Sequence, residues 1–179
     1  MQIKTLAVFC GSKTGNNKLF EVHAIALGYL LAEKKINIIY GGGNKGLMGA
    51  MANAALEKGG NVTGIIPKLL TDAEHKHEGL NELHIVDTMH IRKQLIYEKI
   101  DAAIILPGGF GTLDELFEIL TWNQLSIHDK KIFFLNSGGF YDPLFAHIHN
   151  MQEENFLYGE AEDRMTVLAE PNDILDHLF

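Results

Sequence analysis

The chain has 179 residues, 46% of them hydrophobic and 21% charged, with a formal charge of −8 at pH 7. A chain of this length buries roughly 70% of its unfolded surface as one domain and needs no disulfide. The acidic balance excludes a nucleic-acid backbone as partner, which requires a basic face, but not a small anion held by a few local groups. Cys10 is the single cysteine, so no internal disulfide forms and a reducing, cytoplasmic setting is expected. No apolar run approaches the ~18 residues that span a bilayer, and residues 1–5 lack the features of a signal peptide, so no membrane partner is expected.

Residues 6–10 form an apolar, β-rich run ending in Gly11-Ser12. Leu19, Val22, Ala26, Tyr29 and Leu30 then recur at helical spacing. A second strand at 36–40 leads into Gly41-Gly42-Gly43-Asn44-Lys45-Gly46 and an alanine-rich helix over 47–58. A third strand at 62–66 stops at Pro67. Residues 68–82 are polar, rich in His and Glu and weakly periodic, which predicts a loop with room for one helical turn. A short strand at 84–86 and a helix at 89–99 follow. The unbroken apolar run at 102–106 is typical of a strand covered on both faces. Leu113, Leu116, Phe117 and Leu120 mark the next helix, and a strand at 132–135, a helix at 143–152 and segments at 166–168 and 174–178 close the chain. This alternation predicts an α/β fold, a doubly wound parallel sheet with helices on both faces, in one domain over 1–179. Right-handed crossovers put every strand-to-helix loop at the carboxyl edge of that sheet.

Three of those loops are rich in glycine: Cys10-Gly11-Ser12, the 41–46 loop, and Pro107-Gly108-Gly109-Phe110-Gly111-Thr112. Uncovered amides beside a helix amino end bind anions, and three such loops converging on one edge predict a phosphate site. Gly41-x-Gly43-x-x-Gly46 also fits the dinucleotide fingerprint. That mode wants an acidic residue roughly 20 positions on, whereas residues 61–71 hold no Asp or Glu. Gly46 is followed by Leu47 rather than Lys-Ser/Thr, which excludes a nucleoside triphosphate loop. Thr112-x-x-Glu115 reads as a capping box, with Thr112 capping a helix that starts at Leu113, and spacing alone leaves Glu115 open between cap and ligand. Arg92 and Lys93, in Met89-His90-Ile91-Arg92-Lys93, supply positive charge near this acidic edge. His147 and His149 point to different helix faces, and His75 and His77 lack further ligand spacing, so no metal is expected. Ser12 has no Gly-x-Ser-x-Gly elbow around it.

The motif Pro107-Gly108-Gly109-Phe110-Gly111-Thr112-x-x-Glu115, preceded by Met89-His90-x-Arg92-Lys93, resembles the LONELY GUY (LOG) cytokinin-activating phosphoribohydrolases. The likeness extends over nearly the whole chain, through Tyr40-Gly41-Gly42-Gly43, Gly46-Leu47-Met48-Gly49 and Thr121-Trp122-Asn123-Gln124-Leu125. It implies a Rossmann-like homodimer that needs no cofactor. Such an enzyme hydrolyses a purine (cytokinin) riboside 5′-monophosphate to the free N6-substituted adenine and ribose 5-phosphate. Many relatives carry the label lysine decarboxylase, yet no lysine here stands in a pyridoxal-phosphate context. By the resemblance Arg92 and Glu115 are the catalytic pair. Gly11, Ser12, Gly42, Gly43, Glu74, Met89, Lys93, Gly108, Gly109, Phe110, Gly111, Thr112, Leu113, Asp114 and Thr121 are its substrate-binding residues. The sequence departs from the family pattern at Lys13, where a second Ser is common, at Phe110 for Tyr and at Asp114 for Glu. A general AMP nucleosidase, or a non-catalytic nucleotide or cofactor carrier on the same scaffold, stays open as an alternative.

Overall fold

The computed structural model describes residues 2–71, 75–160 and 162–178. Seven strands, Thr5–Phe9 (β1), Asn37–Tyr40 (β2), Val62–Pro67 (β3), Glu82–Val86 (β4), Ala102–Ile105 (β5), Lys131–Leu135 (β6) and Met165–Leu168 (β7), form one sheet in the order β4-β3-β2-β1-β5-β6-β7. Every pair is parallel, as the alternating pattern predicts. The chain runs outward from β1 to β4, then returns to the other side of β1 as β5. That reversal between β1 and β5 opens a crevice at their carboxyl ends, the place where open α/β sheets bind ligands.

The helices are Lys18–Glu33 (α1), Gly46–Glu57 (α2), Met89–Lys99 (α3), Phe110–Gln124 (α4), Asp142–Glu153 (α5) and Leu175–Leu178 (α6). Strand side chains alternate between two cores. Leu6 and Val8 of β1 pack with Leu27, Leu31, Met51 and Ala55 of α1 and α2, whereas Ala7 and Phe9 pack with Ile96, Tyr97, Leu116 and Ile119 of α3 and α4. Burial on both faces explains the unbroken apolar runs of β1 and β5.

Element ends differ from the sequence expectation mostly by a residue or two. Among the described residues, the polar stretch after β3 contains one 3-10 turn, Lys68–Leu70, and the closing segment is a 3-10 turn, Pro171–Ile174, leading into α6. One difference matters for the site. α4 starts at Phe110 rather than Leu113, with Gly109 at its cap position and no side-chain cap. Thr112 is therefore inside the first turn, and its Oγ1 lies 2.1 Å from where a Cβ on Gly108 would stand. The expected capping box does not form, because Gly109 lets the helix begin three residues early and Thr112 folds back over Gly108. Glu115, released from that duty, becomes the sixth residue of the helix and faces α3.

Candidate active site

At the β1/β5 crevice a cavity of about 470 Å³ is lined by Gly11, Ser12 and Lys13 after β1, Gly41 after β2, Met89 and Arg92 of α3, and Gly108, Gly109, Phe110, Gly111, Thr112 and Glu115 around the start of α4. Phe20 and Phe140, stacked edge-to-face at 5.4 Å, close one apolar side.

The three glycine loops meet there, but with different jobs. The Gly11 amide donates to the Pro107 carbonyl at 3.0 Å, tying the first loop to the last. The Gly11 carbonyl accepts from the Leu47 amide at 3.1 Å, so the amino end of α2 is already occupied by protein. At α4 the first backbone donor of the helix satisfied in this way is Leu113, bonded to Gly109 at 3.1 Å. The helix amides before it make no backbone hydrogen bond among the described residues, and around Gly109 and Gly111 a Cβ would meet nothing within 4 Å. The α4 end thus has the open amides and helix amino end that an anion cradle requires. In the middle loop only Gly41 reaches the cavity. Gly42, in the left-handed region at φ +79°, packs against Ile66 and Leu83, and Gly43 pairs with Lys76.

Arg92 and Glu115 meet in the wall. Arg92 Nη2 lies 2.9 Å from Glu115 Oε1, and both side chains are 7% exposed. Gly41 makes room for this pair: a Cβ there would stand 2.6 Å from Arg92 Nη2. The Arg92 Nε–H is buried with no hydrogen-bond partner among the described residues, on a side chain that lines the cavity. In the sequence Arg92 and Lys93 stand as one basic pair near the acidic edge. The structure separates Arg92 from Lys93, whose ammonium turns away to Glu118 at 2.8 Å and Asp114 at 3.2 Å. Burial alone would lower the Lys93 pKa, but these hydrogen bonds outweigh it and the net shift is upward.

Met89 and the residues from Gly108 to Thr112 come together in the cavity wall. Gly42, Gly43, Lys93, Leu113, Asp114 and Thr121 lie outside the cavity wall; the Thr121 hydroxyl donates to the Phe117 carbonyl, on a groove between α4 and α5. Glu74 lies outside the described residues. Lys13 and Gly41, which line the cavity, and Tyr97 behind it were not among the predicted site residues. The buried Tyr97 hydroxyl lies 3.0 Å from the Glu115 carbonyl oxygen and 3.3 Å from Glu118 Oε2, bracing α3 against α4. Burial, then the Glu118 charge, raises its phenol far above the ordinary range, so it remains a donor. Trp122 packs edge-on against Tyr97 at 5.0 Å, which accounts for it as a helix-face residue.

The fold is shared with proteins of distant sequence. The structure of the molybdenum cofactor binding protein from Rippkaea orientalis matches with a TM-score of 0.73 at 21% identity, covering 99% of this chain and 96% of that one. At the sequence level, residues 48–178 match the family model described as "Possible lysine decarboxylase". A cytokinin riboside 5′-monophosphate phosphoribohydrolase from Rhodococcoides fascians is 43% identical over 165 residues, 92% of this chain and 83% of that protein. The Arabidopsis thaliana cytokinin riboside 5′-monophosphate phosphoribohydrolase LOG2 is 42% identical over 171 residues, 96% of this chain and 79% of that protein. With similarity of that extent, and Arg92, Glu115 and the Pro107-Gly108-Gly109 loop gathered at one crevice, the chain belongs to the LOG family.

Proposed function

We propose that the protein hydrolyses the N-glycosidic bond of a cytokinin riboside 5′-monophosphate, releasing an N6-substituted adenine and ribose 5-phosphate. The observation that carries this is the buried Arg92–Glu115 pair beside the uncovered amino end of α4. The names of relatives more than 40% identical over most of the chain support it.

Water adds to C1′ of the ribose while the C1′–N9 electron pair leaves with the purine, which takes up a proton. Positive charge builds on the ribose ring as the bond breaks, as in other glycoside cleavages. The Glu115 carboxylate stabilises that charge and orients the ribose hydroxyls and the water. The Arg92 guanidinium, a fork of N–H donors, holds Glu115 and stabilises charge on the departing purine. The α4 amides and the residues Gly108 to Thr112 hold the 5′-phosphate.

Separate incubations with AMP and with N6-isopentenyl-AMP, resolved by chromatography for the free bases, test this reading. Faster release of the N6-substituted base supports it. Equal release from both substrates points to a general AMP nucleosidase, and tight binding without ribose 5-phosphate points to a carrier. Glu115→Gln is expected to lose about a hundredfold in turnover, the loss typical of removing one preorganised group. A folded Glu115→Gln protein with near-normal turnover sinks the catalytic role.

The proposal extends to a cytoplasmic homodimer. The dimer is supported by apolar side chains left exposed on and beyond α4 — Phe117, Leu125, Ile127, Phe156 and Tyr158 — and sedimentation at micromolar concentration tests it. The cytoplasmic setting is supported by the single, buried cysteine.

A further inference from the structure

The charges around the cavity do not balance the proposed substrate. A nucleoside 5′-monophosphate brings between one and two negative charges at neutral pH, because its second ionisation lies near pH 6. The site answers with little. Lys13 and Arg92 are the only Lys or Arg side chains lining the cavity among the described residues, and Arg92 is already neutralised by Glu115 at 2.9 Å. The α4 amino end contributes only a partial charge. Lys93, next to Arg92 in sequence, is committed to Asp114 and Glu118.

Lys13 is differently placed. It is exposed, it lines the cavity, and it makes no ion pair or side-chain hydrogen bond among the described residues. Its backbone is also held in position. Gly46, in the left-handed region at φ +57°, lies so close beneath it that a Cβ there would stand 2.4 Å from both the Lys13 amide nitrogen and the Ser12 carbonyl carbon. A Cβ on Gly11 would lie 3.0 Å from the Lys13 carbonyl oxygen and 3.4 Å from the Gly108 Cα. Lys13 and the loop that opens α4 therefore flank one point, within reach of a four-carbon stem and its ammonium.

We propose that Lys13 is a specificity residue of the nucleotide site, its ammonium being the counter-charge for the substrate's 5′-phosphate. The inference rests on the nucleotide reading above. Glu115 neutralises Arg92 for work at the glycosidic bond, and Lys13 supplies the free cation at the phosphate end. Lys13 thus discriminates nucleotide from nucleoside, by an attraction that salt weakens.

The test compares wild type with Lys13→Ser, Lys13→Met and Lys13→Arg. Dissociation constants for AMP and for adenosine are measured by calorimetry, and KM and kcat for N6-isopentenyl-AMP at low and high salt. Losing a charge-assisted contact is expected to raise the AMP dissociation constant and KM by about tenfold or more in the Ser and Met variants. The loss falls on KM rather than kcat, adenosine binding stays as in wild type, and Arg restores most of the affinity. The salt dependence of KM flattens in the Ser and Met variants. Unchanged AMP affinity in Lys13→Met overturns the proposal, and so does a loss shared equally by adenosine. AMP binding that depends on Lys13 without release of any base leaves Lys13 in place and removes the hydrolase reading. No binding of AMP together with no turnover of N6-isopentenyl-AMP by wild type overturns both.

Discussion

Arg92 and Glu115 show how much a side chain's meaning depends on what faces it. With both side chains 7% exposed, each charge is tolerable only because the other is 2.9 Å away. Arg92→Met leaves the Glu115 carboxylate buried without its guanidinium, so thermal or urea unfolding should show a loss of about 3–5 kcal/mol. Glu115→Gln, which keeps a polar group against Arg92, should lose less stability while losing turnover, and equal losses for the two variants would argue against the pairing. His77 makes a second prediction at this scale. Its Nδ1 accepts from the Gly79 amide at 3.0 Å, so the ring proton sits on Nε2, 3.0 Å from Asn53 Oδ1. A second proton would have to enter where the Gly79 N–H already points, and burial pushes the His77 pKa below its ordinary value of 6.5. An imidazole with a depressed folded pKa stabilises the fold above its unfolded pKa, and that contribution is lost as pH falls through about 6.5 toward the folded value. The melting temperature should therefore drop on acidification, and less steeply in His77→Gln; parallel curves would exclude His77 as the source. His128 is lowered too, by burial and then by Lys130, and adds to the slope in the same direction. The sequence set Arg92 beside Lys93 as positive charge and left His77 in a polar loop, and it could not show either pairing. Their partners Asn53 and Glu115 lie more than twenty residues away.

The start of α4 is where local sequence rules were outvoted. Thr112-x-x-Glu115 has the spacing of a capping box, yet the helix begins at Phe110. Gly109 stands extended at the cap, and the Thr112 side chain is drawn onto the bare Gly108 backbone instead. The motif was legible as a glycine-rich strand-to-helix loop with open amides, because glycines before a helix expose them. The exact first residue was not, since it depends on how Gly108 and Gly11 touch. Two glycines separate these effects. A Cβ on Gly108 would stand 2.1 Å from Thr112 Oγ1 and 3.0 Å from the Gly11 amide nitrogen, whereas one on Gly109 meets nothing within 4 Å. Gly108→Ala should lower stability by about 1–3 kcal/mol, the usual cost of forced overpacking, and distort the cradle. Gly109→Ala, with φ −101°, should melt within a degree or two of wild type. Similar melting of both variants would mean that the loop adapts freely and the close contact has no structural consequence.

For the molecule as a whole, alternating strand and helix signals were enough to predict a parallel doubly wound sheet, because only crossovers covering both faces bury such uniformly apolar strands. The strand order was not legible, since no local signal tells β5 to return beside β1 rather than beyond β4. Nor was the closeness of α1 and α2 on the face opposite α3 and α4. That contact is set by Gly28, where an added Cβ would stand 2.4 Å from the Met51 carbonyl oxygen and 3.1 Å from both the Ala54 Cβ and the Ala55 amide nitrogen. Two of these neighbours are helix backbone and cannot swing aside, so Gly28→Ala must push the helices apart and loosen the core that Leu27, Leu31 and Met51 share with β1. A cost of about 2 kcal/mol is expected for such overpacking, and in a protein of this size it corresponds to a melting temperature lower by about 4–8 °C. Arg92 and Glu115 ride on the other layer, so kcat measured well below the melting range should stay near wild type. A Gly28→Ala protein that melts like wild type would show that the two helices slide at little cost. One that melts normally but loses kcat would show that the layers are coupled through the β1 loop, where Gly11, Ser12 and Lys13 join the α1–α2 side of the sheet to the cavity.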